Sequence, residues 1–134
     1  MGITLVIGNA ETAYDTSEFP ELHASFIVKK TCFNQEDTNF MQFSYGGFQE
    51  FCKDTGIIKY LGYPNGPLID EHPGCKGITK KIADDIRRFV VGFEMDEKRK
   101  SDPLYKDKLA RLNTFSILTS WAVSECELPA IYNY

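Results

Sequence analysis

Between residues 78 and 93 the chain reads ITKKIADDIRRFVVGF, with apolar positions recurring at helical spacing. Ile78, Ile82, Ile86, Phe89, Val90 and Phe93 fall in one arc, and every charged residue from Lys80 to Arg88 falls outside it, which predicts a helix laid on a core. The run DEKRKSD (96–102) is a solvated connection. Pro103 suits a first helical position behind a Ser101 or Asp102 cap, so a second helix is expected from about Leu104 to Ser124, antiparallel to the first. Leu104, Tyr105, Leu109, Leu112, Phe115, Ala122 and Val123 form its core arc. Ala110, Ile117 and Trp121 make a second stripe on the reverse side. A helix apolar nearly all round is either enclosed by its own domain or covered by another chain.

The first half alternates instead. In GITLVIGN (2–9), Ile3, Leu5 and Ile7 share one side with Val6 opposite, the pattern of an inner strand. AETAYDTSEFPELH is polar and broken by Pro20, so it reads as a loop. ASFIVKKTCF (24–33) and TNFMQF (38–43) are two extended segments, and the NQED cluster between them is expected to turn a hairpin. SYGGFQEFCKDTGI (44–57) then returns to helical spacing, with Tyr45, Phe48, Phe51, Cys52 and Thr55 on one face and Gln49, Glu50, Lys53 and Asp54 on the other. Ser44 is placed to cap its start, and Gly56 followed by Ile57 matches a left-handed stop. Gly46 and Gly47 sit in the first turn, where each costs about 1 kcal/mol of helix propensity. They favour close approach of another backbone or open amides that accept an anion.

GYPNGPLIDEHPGCKG (62–77) holds four glycines and three prolines, and so reads as a long ordered loop of the kind that often carries function. LPAIYNY (128–134) is too apolar to fray, and is expected to dock as an edge strand or over the Trp121 stripe. The fold class is therefore α+β: a small, mainly antiparallel sheet of three or four strands from the first half, packed against three helices, the last two an antiparallel hairpin. At 134 residues this is one domain, 1–134.

Charge refines the picture without identifying a partner. Eleven of the fifteen Lys and Arg lie between Lys76 and Arg111 with seven acids, so that region carries +4 within a chain of net charge −4. Spacings of four residues pair Lys80 with Asp84, Lys81 with Asp85, and Asp84 with Arg88, which neutralises much of it locally. The overall acidity disfavours nucleic acid as a partner. No apolar run is long enough to cross a membrane and the N-terminus has no export signal, so the expected compartment is cytoplasmic, without a membrane partner. Cys32, Cys52, Cys75 and Cys126 are widely spaced, and are expected reduced.

The common catalytic signatures HExxH, GxSxG and the phosphate loop do not occur. DEHPGC places Asp70, Glu71, His72 and Cys75 in one turn-rich stretch, and a His-x-x-Cys step supplies at most two of the four ligands zinc takes. No metal or cofactor is expected. Three readings follow. The first is a non-enzymatic protein-interaction module, self-association included, using Ala110, Ile117, Trp121, Ile131, Tyr132 and Tyr134. The second is a small-ligand or anion-binding protein using Gly46, Gly47, Tyr63, Asn65 and His72. The third is a metal- or cysteine-dependent enzyme around His72 and Cys75.

Overall fold

Alternation along residues 2–12 produces one long strand, β1 (Gly2–Thr12), to which most of the sheet is attached. The computed structural model describes residues 2–12, 24–27, 39–61, 67–69 and 74–133. The other strands are β2 (Ala24–Ile27), β3 (Phe40–Ser44), β4 (Gly74–Gly77) and β5 (Pro129–Asn133), all paired antiparallel. Val6 faces both Phe40 of β3 and Tyr132 of β5, and Asn9 faces both Ile27 of β2 and Pro129 of β5. It follows that β3 and β2 lie end to end along one edge of β1, with β5 and then β4 beyond the other.

The break between β3 and β2 falls opposite Ile7, whose backbone must still be satisfied. Asn39 fills it. Its carbonyl accepts from the Ile7 N–H at 3.0 Å, and its side-chain Nδ2 donates to the Ile7 carbonyl at 3.0 Å, so an amide side chain stands in for the missing strand backbone. A second asparagine on β1 secures the far edge: Asn9 Oδ1 accepts from Leu128 N–H at 2.7 Å just before β5 begins.

The α+β class, the inner position of β1 and the helical hairpin are as the sequence predicts. Three details differ. The two early segments each pair with β1 and, over the described residues, not with each other; the NQED cluster lies outside the described residues. The C-terminal segment is no edge strand, since β5 sits between β1 and β4. Two of the sheet's strands therefore come from the second half of the chain. GCKG, read as loop from its glycines, is extended because β5 offers it a ladder, and pairing outweighs local propensity. Leu68 and Ile69, also in that stretch, are buried in the core.

Helix α1 (Tyr45–Thr55) starts and stops where its caps require: Ser44 Oγ accepts from Gly47 N–H at 3.1 Å, Gly56 has φ of 88°, and its N–H donates to the Cys52 carbonyl at 3.1 Å. Ile57 folds back and is fully buried ahead of the short α2 (Ile58–Leu61). In α3 (Lys80–Met95), Thr79 Oγ1 caps Ile82 N–H at 3.1 Å, and Ala83, Ile86, Val90 and Phe93 are buried. Asp84 pairs with Arg87 at 3.5 Å in place of Arg88, and Lys81 with Asp85 at 3.2 Å. Helix α4 (Tyr105–Glu125) begins two residues past Pro103, because Asp102 ends the preceding turn: Oδ1 accepts from Leu104 N–H at 2.9 Å, and Oδ2 from Lys108 Nζ at 2.6 Å. Stacked Phe93 and Tyr105 rings, 5.7 Å apart, close the hairpin.

The two-sided apolarity of α4 has an internal cause. Helix α3 packs on one flank, β1 and β5 lie beneath, and Lys108, 4.0 Å from Asp54, links α1 alongside. Trp121 is 5% exposed and belongs to the core, so the reverse stripe loses its largest member. Burying an indole removes roughly 200 Å² from water, on the order of 5 kcal/mol as an upper bound, more than enough to turn it inward.

Asn39→Asp tests the strand bridge. The ionised carboxylate has no proton for the Ile7 carbonyl, so stability at pH 7 is expected to fall by about 2–3 kcal/mol. Because burial raises the pKa of the introduced acid, the deficit shrinks as pH falls toward 4, where the protonated form regains a donor. Chemical denaturation across that range measures it, and a variant as stable as the parent at pH 7 rules the bridge out.

Candidate binding groove

Strand β3 runs directly into α1 at Ser44, and α4 passes beside both. Between them runs an open groove in three contiguous stretches. The first, about 380 Å³, is bordered by Gln42, Phe43, Ser44, Gly47, Phe51 and Arg111. The second, about 290 Å³, lies toward the start of α4 and is bordered by Glu50, Asp54, Leu104, Asp107 and Lys108, again with Gly47, Phe51 and Arg111. The third, about 260 Å³, lies between Met41, Gln42, Ala110, Arg111 and Thr114. Arg111 borders all three.

Two clasps fix the spacing of the walls. Arg99, from the turn between α3 and α4, donates to the carbonyls of Asp54 at 2.9 Å and Thr55 at 3.2 Å, neutralising the C-terminal end of α1, while its guanidinium lies 4.6 Å over the Phe93 ring. Lys108 is held by Asp102 at 2.6 Å and lies 4.0 Å from Asp54. That hydrogen bond is the main reason the Asp102 carboxyl stays below the usual range. Arg111 is used differently: its guanidinium lies 4.4 Å over the Phe43 ring, and among the described residues it forms no ion pair.

The two first-turn glycines have separate explanations. A Cβ at Gly46 meets nothing within 4 Å, so no neighbouring backbone requires that glycine. A Cβ at Gly47 lies 2.4 Å from Ser44 Oγ, so this glycine is what lets the cap hydroxyl sit over its own N–H. Local capping, rather than close approach of another backbone, accounts for Gly47.

The residues singled out from sequence divide accordingly. Gly47 and Ala110 are brought to the same groove, and Gly46 lies exposed in the turn leading into it. Ile117 is 54% exposed on the outer face of α4. Trp121 and Ile131 are buried, the former by the packing around α4 and the latter at the centre of the sheet, so neither has surface to lend a partner; this corrects their assignment to an interface. Tyr132 is half-buried in β5, opposite Val6 and Cys75. Tyr63, Asn65, His72 and Tyr134 lie outside the described residues.

Arg111, Phe43, Phe51 and Gln42 were not singled out as site residues. Arg111 stands exposed beside the core arc of its helix. Nothing local connects it to Phe43. The thiols of Cys52 and Cys75 are in no disulfide. Burial pushes Cys52 up to about 12 and raises Cys75, so both are held as neutral thiols, the unreactive form. Among the described residues, no three of His, Cys, Asp and Glu converge on a common point.

Replacing each glycine by alanine separates the two roles. Gly46→Ala is expected to stabilise by about 0.5–1 kcal/mol. Gly47→Ala gives no such gain, because the new methyl displaces the Ser44 cap, worth about 1 kcal/mol. In a Ser44→Ala background both changes should stabilise alike, and a double-mutant cycle by urea denaturation that finds no coupling between 44 and 47 contradicts the assignment.

Cys52 should resist thiol reagents in the folded protein and react at the global unfolding rate. The sign of its pH dependence follows from the raised pKa. Stability is intact below the ordinary 9.0, and falls as pH rises from there toward about 12, because only the unfolded thiol ionises. Labelling of native Cys52 as fast as a free thiol at pH 8 is the contrary result.

In comparison with known proteins, no family model matches this chain, and no match is found among curated proteins or solved structures.

Proposed function

We propose that this chain is a non-enzymatic protein-interaction module, and that it holds an extended segment of a partner protein in the groove that β3 and α1 form with α4. A single observation carries this reading: three contiguous stretches of groove, with Phe43, Phe51 and Leu104 along them, border the same guanidinium, which forms no ion pair among the described residues. Apolar walls supply area to cover, and the cation supplies register.

From Leu104 to Thr114 the α4 wall rises about 15 Å, the length of four or five extended residues. A metabolite is ordinarily held in a cleft that removes most of its surface from water, whereas a groove open along its length suits a segment whose ends continue past it. Self-association through the reverse face of α4 has less support. With Trp121 in the core, Ile117 is the only large apolar residue that face retains of the stripe, and Ala110 lies two turns away, about 10 Å, at the groove. The neutral thiols of Cys52 and Cys75 favour a binding role over cysteine chemistry.

Selection of heptapeptides from a random display library, followed by fluorescence anisotropy, tests the proposal. Ala110→Trp adds bulk to the groove at an exposed position, and should weaken selected peptides tenfold or more. Ile117→Ser should leave them unchanged, and light scattering should find a monomer. Peptides indifferent to Ala110→Trp, or a dimer abolished by Ile117→Ser, overturn it.

A further inference from the structure

Resting on that reading, we infer a charge pattern for the bound segment: one acidic side chain opposite Arg111, and a basic side chain toward Glu50 and Asp107. The groove is electrically divided. Around Arg111 the first stretch is bordered by Gln42, Ser44 and Gly47 and, among the described residues, by no carboxylate. Toward Leu104 the second stretch gathers Glu50, Asp54 and Asp107.

Which of these charges are engaged decides what the occupant meets. Lys108, the second cation of the groove, is held between Asp102 and Asp54. Glu50 and Asp107 form no ion pair among the described residues. Asp107 stands four residues before Arg111 on the same helix, the spacing at which such pairs form, yet Arg111 lies over Phe43 instead. Arg111 is exposed and its N–H donors meet no acceptor among the described residues, so they are available to a carboxylate in a two-pronged arrangement.

The acid belongs to a side chain within the segment and not to a chain end. Arg111 stands where all three stretches meet, so an end carboxylate placed there leaves part of the groove empty, whereas a continuing chain fills both directions. A second acid toward Leu104 faces Glu50 and Asp107 at a like-charge cost, and a Lys or Arg there is attracted.

Two pools of end-blocked heptapeptides test this, one with a central glutamate and one with a central glutamine, the flanking positions randomised over apolar residues and lysine. The glutamate pool should bind about tenfold more tightly. That gap should narrow as salt rises from about 0.05 to about 0.5 M. It should vanish in Arg111→Gln, an exposed substitution whose fold is checked by its amide NMR spectrum. Members enriched in lysine should lose their advantage in a Glu50→Gln, Asp107→Asn variant. If both pools bind alike and both are weakened by Ala110→Trp, the charge pattern is wrong and the groove stands. If Ala110→Trp weakens neither pool, the groove reading fails and the pattern fails with it.

Discussion

The buried middle of the eleven-residue strand β1 needs backbone partners along both edges, and much of the sheet is arranged around meeting that requirement. No single neighbour is long enough. Strands β3 and β2 share one edge, and Asn39 closes the gap between them with a backbone carbonyl and a side-chain amide. On the other edge β5 is brought in by Asn9, whose side chain holds the Leu128 N–H. Both walls of the groove descend from these attachments. Helix α1 leaves β3 at Ser44, at once the last residue of the strand and the cap of the helix, and α4 delivers the chain to β5 through Leu128. The strand thus fixes one end of each wall, and the clasps fix their separation.

The clasps differ in strength in a way that matters for Arg111. Arg99 meets two helix-terminal carbonyls of α1 at 2.9 and 3.2 Å, whereas Lys108 comes only to 4.0 Å from Asp54, so Arg99 secures α1 more firmly than Lys108 does. Neither is free to move toward a ligand without releasing α1. Arg111 has no such duty. Its guanidinium lies 4.4 Å over the Phe43 ring, a cation–π contact that engages none of its N–H donors with an acceptor.

Features encoded within one or two turns of chain were legible in the sequence. The Ser44 and Gly56 caps, the buried face of α3 and the inward side of β1 depend on neighbours at most four residues away, and they appear where the pattern puts them. What depended on distant partners was not legible. The segment 74–77 looks like a loop until β5 is beside it, and Asn39 is an ordinary polar residue until Ile7 lacks a strand opposite. Trp121 shows the same limit from the other side. Helical spacing placed it correctly on the reverse of α4, but spacing does not say how many neighbours a helix has, and here there are enough to bury it. The groove is the extreme case: Gly47 drew attention for its amide while Arg111 passed as one of many surface charges, and only the fold sets Arg111 over Phe43.

Exposed charge on this surface is therefore not equivalent charge. Of the cations near the groove, Arg99 and Lys108 answer structural acceptors, and on α3 Lys81 and Arg87 answer acids within a turn of themselves. Against a chain of net charge −4 their summed field offers an acidic partner little attraction at long range. On the reading proposed above, recognition of an acid is short-range, made after contact by one guanidinium already lying over an aromatic ring. Holding it there reduces the side-chain entropy lost on binding. Such a site adds selectivity mainly by slowing dissociation, and long-range steering contributes little to its on-rate.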